Sequence, residues 1–184
     1  IGPTNLAAHA IAVQISATAF MIPLGLAQAV TVRVGLAWGR DDPQGVFVAG
    51  WSGFALVFLC AATTVAAMVG MPETLIGAFV APTTDEARTV FGLALDFLRL
   101  AALFQLVDGI QAVTAGMLRG RHDTRVPMIM AALGYWGVGF VGCVVFAFPL
   151  GFAGRGVWIG LALGLGAVAV MLTALVPVYV SHED

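Results

Sequence analysis

Long apolar runs alternate with short polar breaks along the whole chain. Each run is long enough for a membrane-spanning helix, which needs about 20 mainly apolar residues. The pattern predicts five spans, over residues 10–32, 46–70, 100–118, 126–149 and 156–180. The breaks between them carry glycine, proline or charged side chains, as turns do. The sequence therefore predicts an all-α integral membrane protein with five transmembrane helices visible within residues 1–184.

The composition supports a lipid environment. Hydrophobic residues make up 60% of the chain and charged residues only 10%, and the mean hydropathy is +1.00. A soluble domain carries about 25% charged residues, so this chain could not cover a globular surface with polar groups. The formal net charge of −2 provides no basic face for nucleic acid. We therefore expect the lipid bilayer as a partner and no nucleic-acid binding.

The distribution of arginine predicts the orientation of the helices, because cytoplasmic loops collect positive side chains. More arginines flank the first and third breaks than the second and fourth. The two sets are Arg33, Arg40, Arg119, Arg121 and Arg125 against Arg88, Arg99 and Arg155. The first and third breaks are therefore predicted to be cytoplasmic. This orientation also places the C-terminus in the cytoplasm.

One carboxylate lies almost at the centre of the third predicted span. Asp108 is the only charged residue in that apolar core, where an ionised side chain costs about 2.5–3.5 kcal/mol. It must take up a proton, pair with a cation or face a water-filled cavity. Gln105, Gln111 and Phe104 lie three or four residues away and share one helix face with it. Such a face suits a hydrophobic cation; the alternative is a structural carboxylate hydrogen-bonded to a neighbouring helix.

Other polar or helix-bending residues give weaker signals. Tyr135, in the stretch GYWGVG, lies deep enough in the fourth span to line a cavity. Pro23 removes a backbone hydrogen bond in the middle of the first span and is expected to kink that helix. Asp96 and Arg99 have the spacing of an ion pair on one helix surface.

Glycines recur every four residues in three places. They are Gly156, Gly160 and Gly164, the pair Gly35 and Gly39, and the pair Gly116 and Gly120. This spacing puts small residues on one helix face and allows two helices to approach closely. The glycine-rich stretch GLALGLGA lacks the lysine that a phosphate-binding loop requires. We interpret the glycines as packing positions.

Two long stretches resemble a known family. LAAHAIAVQISATAFMIPLGLAQAVTVRVGLAWG and LFQLVDGIQAVTAGMLRGRHDTRVPMIMAALGYWGVG are similar to the multidrug and toxic compound extrusion (MATE) family, in its NorM-like branch, and GVWIGLALGL resembles its last span. The resemblance implies a twelve-span fold in two lobes. This chain would supply spans eight to twelve, as a partial C-terminal transmembrane lobe. Because it begins at Ile1 and not at Met, we expect a missing N-terminal lobe in the same polypeptide.

The resemblance also implies a function. Members of this branch are antiporters of the bacterial inner membrane that export amphipathic organic cations and other drugs in exchange for H⁺ or Na⁺, with no further cofactor. A carboxylate of the tenth span contributes to their cation site, which implies that role for Asp108, including Na⁺ ligation if Na⁺ is the coupling ion. Some Na⁺-coupled members carry tyrosine where this chain has Phe104, which favours H⁺. The expected substrate- and ion-binding residues are Asp108, Gln105, Gln111, Phe104 and Tyr135.

Three alternatives stand beside the antiporter. A lipid-linked oligosaccharide flippase of the same superfamily would need a cationic cavity, and the apolar cores of the five spans contain no arginine or lysine. A membrane-embedded enzyme would need paired catalytic or metal-binding residues, which these cores lack. A non-transporting membrane assembly subunit would pack through its glycine faces, and in that case Asp108 would be dispensable for transport.

Overall fold

The computed structural model describes residues 2–180, apart from the side chains of Phe104 and of residues 176–180. Within that range the chain forms helices joined by short connections, and it contains no β-strand. The helices are α1 (Pro3–Trp38), α2 (Pro43–Gly70), α3 (Pro72–Gly77), α4 (Asp85–Gly120), α5 (Arg125–Ala132), a π-helix (Leu133–Phe140), α6 (Val141–Ala147) and α7 (Ala153–Val180). The predicted cytoplasmic C-terminus falls on residues 181–184, outside the described part.

Most of these helices have the length and composition of membrane spans. The stretches that are long and apolar enough are Pro3–Trp38, Pro43–Gly70, Arg125–Ala147 and Ala153–Leu175. Helix α4 is the fifth span when its two halves, which meet at a bend of 41°, are counted together. The predicted all-α membrane architecture is therefore confirmed for the described residues.

Helix α4 is longer than the span predicted over residues 100–118, because it begins at Asp85. Its first turn carries Asp85 and Glu86, and a hydropathy criterion does not include such charged turns. The apolar side of this first half packs in a large buried cluster, where Phe97 stacks on Trp158 of α7 with ring centroids 6.0 Å apart. Helix α4 contacts α1, α2 and α7, so it lies at the centre of the bundle.

The glycine spacing brings helices together as predicted. On α7 the close contacts are Gly156 with Phe146, Gly160 with Cys143, and Gly164 with Gly139. Between α1 and α4 they are Gly35 with Gly120 and Gly116 with Ala27. In each contact a Cβ on the first-named glycine would lie closer to the neighbouring helix than ordinary van der Waals distance. Gly39 differs, since its near neighbour is the Gly35 carbonyl of its own helix.

The predicted ion pair between Asp96 and Arg99 is wrong. Asp96 of α4 pairs instead with Arg155 at the start of α7. Spacing along one helix is compatible with a local pair, but the fold brings a guanidinium from another helix to the carboxylate. His9 of α1 packs against Trp158 in the same region, with ring centroids 5.4 Å apart. Through these contacts α1, α4 and α7 pack against one another at the predicted outer end of the bundle.

Candidate functional site

Asp108 lies in the second half of α4, about one turn after the bend. Its side chain is partly buried. Its carboxylate makes no hydrogen bond or ion pair with any residue that the structure describes. The hydrogen bond to a neighbouring helix that a purely structural carboxylate would need is therefore not found among these residues. A carboxylate in this setting is available to a proton or to a bound cation.

Gln111 connects α4 to the π-helix beside Asp108. Its Nε2 donates a hydrogen bond to the Tyr135 hydroxyl, with 2.5 Å between the two atoms. Because Asp108 and Gln111 lie three residues apart on one face of α4, this hydrogen bond brings Tyr135 to the side of the helix that carries Asp108. The Gln111 Oε1 is buried and has no hydrogen-bond partner in the described part of the chain. The fold thus brings three of the predicted site residues together and leaves an acceptor atom available among them.

Gln105 is buried more deeply than Asp108 or Gln111, with only 2% of its surface exposed. Its Nε2 has no hydrogen-bond partner within the described residues. A buried amide donor without a partner costs about 1–3 kcal/mol, so an oxygen atom of a ligand or water would be stabilising there. Gln105 shares the α4 face of Asp108 by its spacing, but no hydrogen bond joins the two side chains.

Phe104 lies between the two halves of α4, at the 41° bend. Its side chain is outside the described residues. The aromatic wall predicted at this position therefore stays a prediction.

Helices α1 and α2 pack against α4 next to the carboxylate. A Cβ on Gly109 would lie 3.8 Å from the Cβ of Pro23 on α1 and 3.5 Å from a methyl group of Val57 on α2. Pro23 is buried, and α1 continues through it as a single helix. The proline predicted from the sequence to bend α1 therefore lies level with Asp108, in the contact between three helices.

The π-helix is a feature that the sequence pattern does not predict. Residues Leu133–Phe140 replace α-helical turns in the middle of the fourth span, and π-helical turns are rare and frequent at functional sites. The only signal was the run GYWGVG, which is poor in strong α-helix formers. The π-helix borders a groove of about 440 Å³. Its lining includes Tyr135, Trp136, Phe140, Cys143, Leu161 and Leu165.

Tyr135 belongs to two environments at once. Its hydroxyl takes part in the polar contact with Gln111, and its ring lines the apolar groove against α7. Trp136 beside it is 72% exposed. This arrangement places an apolar surface next to a carboxylate, as a ligand with a charged group and an apolar body requires.

The described residues provide at most part of a metal site. No group of three or more His, Cys, Asp or Glu residues among them could hold a metal ion. Asp108 contributes carboxylate oxygens, and Gln105 and Gln111 carry side-chain carbonyl oxygens on the same helix. A hard cation needs several oxygen ligands, whereas a proton needs only the carboxylate.

The fold and this region define a multi-pass α-helical membrane protein with a partly buried carboxylate inside its bundle, and ionisable residues inside a membrane often mark ion or substrate pathways. The MatE family model matches residues 1–145. The chain belongs to the MatE family, as the resemblance of its two long stretches predicted.

Individual relatives and solved structures agree with this assignment. The chain is 54% identical over 173 residues to the probable multidrug resistance protein NorM of Brucella suis, covering 94% of this chain and 37% of the relative. Over 172 residues it is 55% identical to the protein of the same name from Mesorhizobium japonicum, with the same coverage of 94% and 37%. The chain therefore spans about 37% of the length of these two curated relatives.

Two crystal structures share the fold. A MATE protein in the bent conformation has a TM-score of 0.87 at 21% identity, over 97% of this chain and 38% of that one. The eukaryotic MATE transporter AtDTX14 has a TM-score of 0.84 at 22% identity, over 96% of this chain and 39% of that one. The predicted MATE-type helical fold is confirmed by these similarities.

Proposed function

We propose that this chain forms spans eight to twelve of a bacterial inner-membrane antiporter that exports amphipathic organic cations in exchange for H⁺ or Na⁺. Its relatives carry the description probable multidrug resistance protein, and the solved structures of the same fold are described as MATE proteins. The observation that carries the proposal is the partly buried Asp108 carboxylate, which has no ion-pair partner in the described chain and adjoins the Gln111–Tyr135 contact. The rest of the same polypeptide supplies the other lobe.

The mechanism is competition for one carboxylate combined with alternating access. In the inward-facing state an organic cation enters between the lobes and places its charge near Asp108. Its apolar body lies against Tyr135 and Trp136, at the groove beside the π-helix. After the lobes rock outward, the coupling ion binds Asp108 and displaces the cation. Coupling requires that the ion bind the outward-facing state more tightly than the inward-facing one.

The residues of α4 favour H⁺ as the coupling ion. Asp108 is the one carboxylate in this half of the helix, and Phe104 offers no oxygen ligand where some Na⁺-coupled members carry tyrosine. A single carboxylate suffices to bind a proton, while Na⁺ would need further oxygen ligands from outside these residues.

Transport by the full-length protein tests the proposal. The protein would be reconstituted in vesicles, and efflux of a fluorescent organic cation would be followed under an imposed pH gradient and then under a Na⁺ gradient. We expect the pH gradient to drive efflux. Efflux driven by Na⁺ alone would show that the assignment of the coupling ion is wrong. If the folded protein shows no efflux under either gradient, the proposal that it is an antiporter is wrong.

The Tyr135 hydroxyl is expected to position Gln111 for the substrate. Tyr135→Phe removes one hydrogen bond of about 0.5–1.5 kcal/mol and should weaken the apparent affinity for the fluorescent cation roughly two- to twelvefold. The measurement is the substrate-concentration dependence of efflux in the vesicles. If the bond to Gln111 is responsible, Gln111→Leu combined with Tyr135→Phe should weaken affinity no more than Gln111→Leu alone. Additive effects would show that the hydroxyl acts independently of Gln111.

A further inference from the structure

A groove between α1 and α2 carries charged side chains that the transport site does not use. It has a volume of about 330 Å³ and lies at the end of the bundle near the first break, which is predicted to be cytoplasmic. Arg33 and Arg40 of α1 both line it. They lie seven residues apart, so Arg33 is about 10 Å deeper along the helix than Arg40.

Neither arginine is neutralised within the described chain. Both are exposed, and neither makes a hydrogen bond or an ion pair with another described residue. Asp42 also lines the groove, but its Oδ1 accepts a hydrogen bond of 2.8 Å from the Gly45 backbone N–H and caps α2. The two guanidinium groups are therefore available to an anion from outside the protein.

The walls of the same groove are apolar and exposed. Leu36, Val48 and Leu56 line it with 52%, 53% and 49% of their surfaces exposed. From Leu26 to Arg40 the groove follows α1 for about 20 Å at 1.5 Å per residue, which is more than the roughly 15 Å of hydrocarbon in one leaflet. The half from Arg33 to Arg40 is therefore cationic, and the deeper half from Leu26 to Arg33, about 10 Å long, suits the upper part of a hydrocarbon chain.

We propose that this groove binds one anionic phospholipid of the leaflet at the first break. The lipid phosphate would lie between Arg33 and Arg40, whose planar guanidinium groups match phosphate oxygens in pairs. One acyl chain would lie deeper than Arg33, along Leu26, Ala29 and Leu56. A free phosphate ion has no use for these apolar walls, and a zwitterionic lipid would bring its own cation to the arginines. The site is independent of Asp108 and goes beyond the proposed transport function.

The test uses the full-length protein purified in detergent and native mass spectrometry. Dioleoyl phosphatidylglycerol or dioleoyl phosphatidylcholine would be titrated into wild type and into Arg33→Gln/Arg40→Gln. We expect wild type to retain phosphatidylglycerol in preference, and the double variant to bind it about 25-fold more weakly, at about fivefold for each arginine near the membrane surface. Arg88→Gln/Arg99→Gln removes the same charge at the other end of the bundle and should retain the lipid as wild type does.

A second variant keeps the arginines and fills the groove. Ala29 is exposed and lines the groove, so Ala29→Phe should weaken phosphatidylglycerol retention without a change of charge. Three results would overturn the proposal: equal retention of the two lipids by wild type, unchanged retention in Arg33→Gln/Arg40→Gln, or displacement of phosphatidylglycerol by millimolar inorganic phosphate. The last result would identify a site for free phosphate, and equal retention would show that the groove is covered or unspecific in the whole protein.

Discussion

Replacement of Asp108 by asparagine is expected to abolish coupled export of an organic cation by the full-length protein. Asparagine keeps the size and the hydrogen-bonding capacity of the side chain, but it carries no charge and takes up no proton. In the proposed mechanism the bound organic cation forms a charge pair with Asp108. Removing one partner of a buried charge pair costs about 3–5 kcal/mol, which corresponds to roughly two to four orders of magnitude in affinity for the cation. The measurement is efflux of the fluorescent cation from vesicles under the gradient that drives the wild type.

Two controls show whether the loss is specific. Asp108→Glu retains an ionisable carboxyl group and should keep measurable transport. Asp96→Asn removes another carboxylate of α4, whose pair with Arg155 is partly exposed and worth about 0–1 kcal/mol; it should transport nearly as wild type. If folded Asp108→Asn protein exports the cation at the wild-type rate, Asp108 has a structural role and the site lies elsewhere in the family fold.

A methyl group on Gly164 is expected to destabilise the packing of α7 against the π-helix. The Cβ in Gly164→Ala would lie 2.7 Å from the Gly139 Cα and 3.3 Å from the Gly134 carbonyl oxygen. Both are backbone atoms, so the helices must separate, at a cost of about 1–3 kcal/mol. Thermal unfolding of the purified full-length protein in detergent should show a lower midpoint. Because the π-helix carries Tyr135, cation export should fall as well.

Gly166 provides a matched control on the same helix. A Cβ at this position meets nothing within 4 Å, so Gly166→Ala introduces no clash. Alanine is favoured over glycine in a helix by about 0.5–1 kcal/mol, and the variant should unfold at the wild-type temperature or slightly above it. If Gly164→Ala is as stable as Gly166→Ala, the close approach of the two helices does not limit stability.

The site residues that lie on the same helix as Asp108 could be predicted from the sequence. A carboxylate in a long apolar run is conspicuous by its solvation cost, and helical geometry puts Gln105 and Gln111 on its side of any α-helix. The glycine positions could be predicted for the same reason, because residues four apart lie on one face of α7 and allow a neighbouring helix to approach.

Contacts between helices could not be predicted from those periodicities. The hydrogen bond from Gln111 to Tyr135 and the pair of Asp96 with Arg155 depend on which helices pack against α4, and a single sequence carries no signal for that choice. The hydropathy pattern does not include the first half of α4 because its first turn is charged, and the burial of its apolar side against Trp158 depends on tertiary packing. The π-helix differs from an α-helix by only one residue in hydrogen-bond spacing, which hydropathy does not register.

The bend in α4 has a mechanical consequence. The half from Gln105 to Gly120 is about 23 Å long at 1.5 Å per residue. A change of about 10° in the angle would swing its far end by about 4 Å, while Asp108, about 5 Å from the pivot, would shift by only about 1 Å. A binding group this close to the bend moves little while the far end of the helix moves by several ångströms.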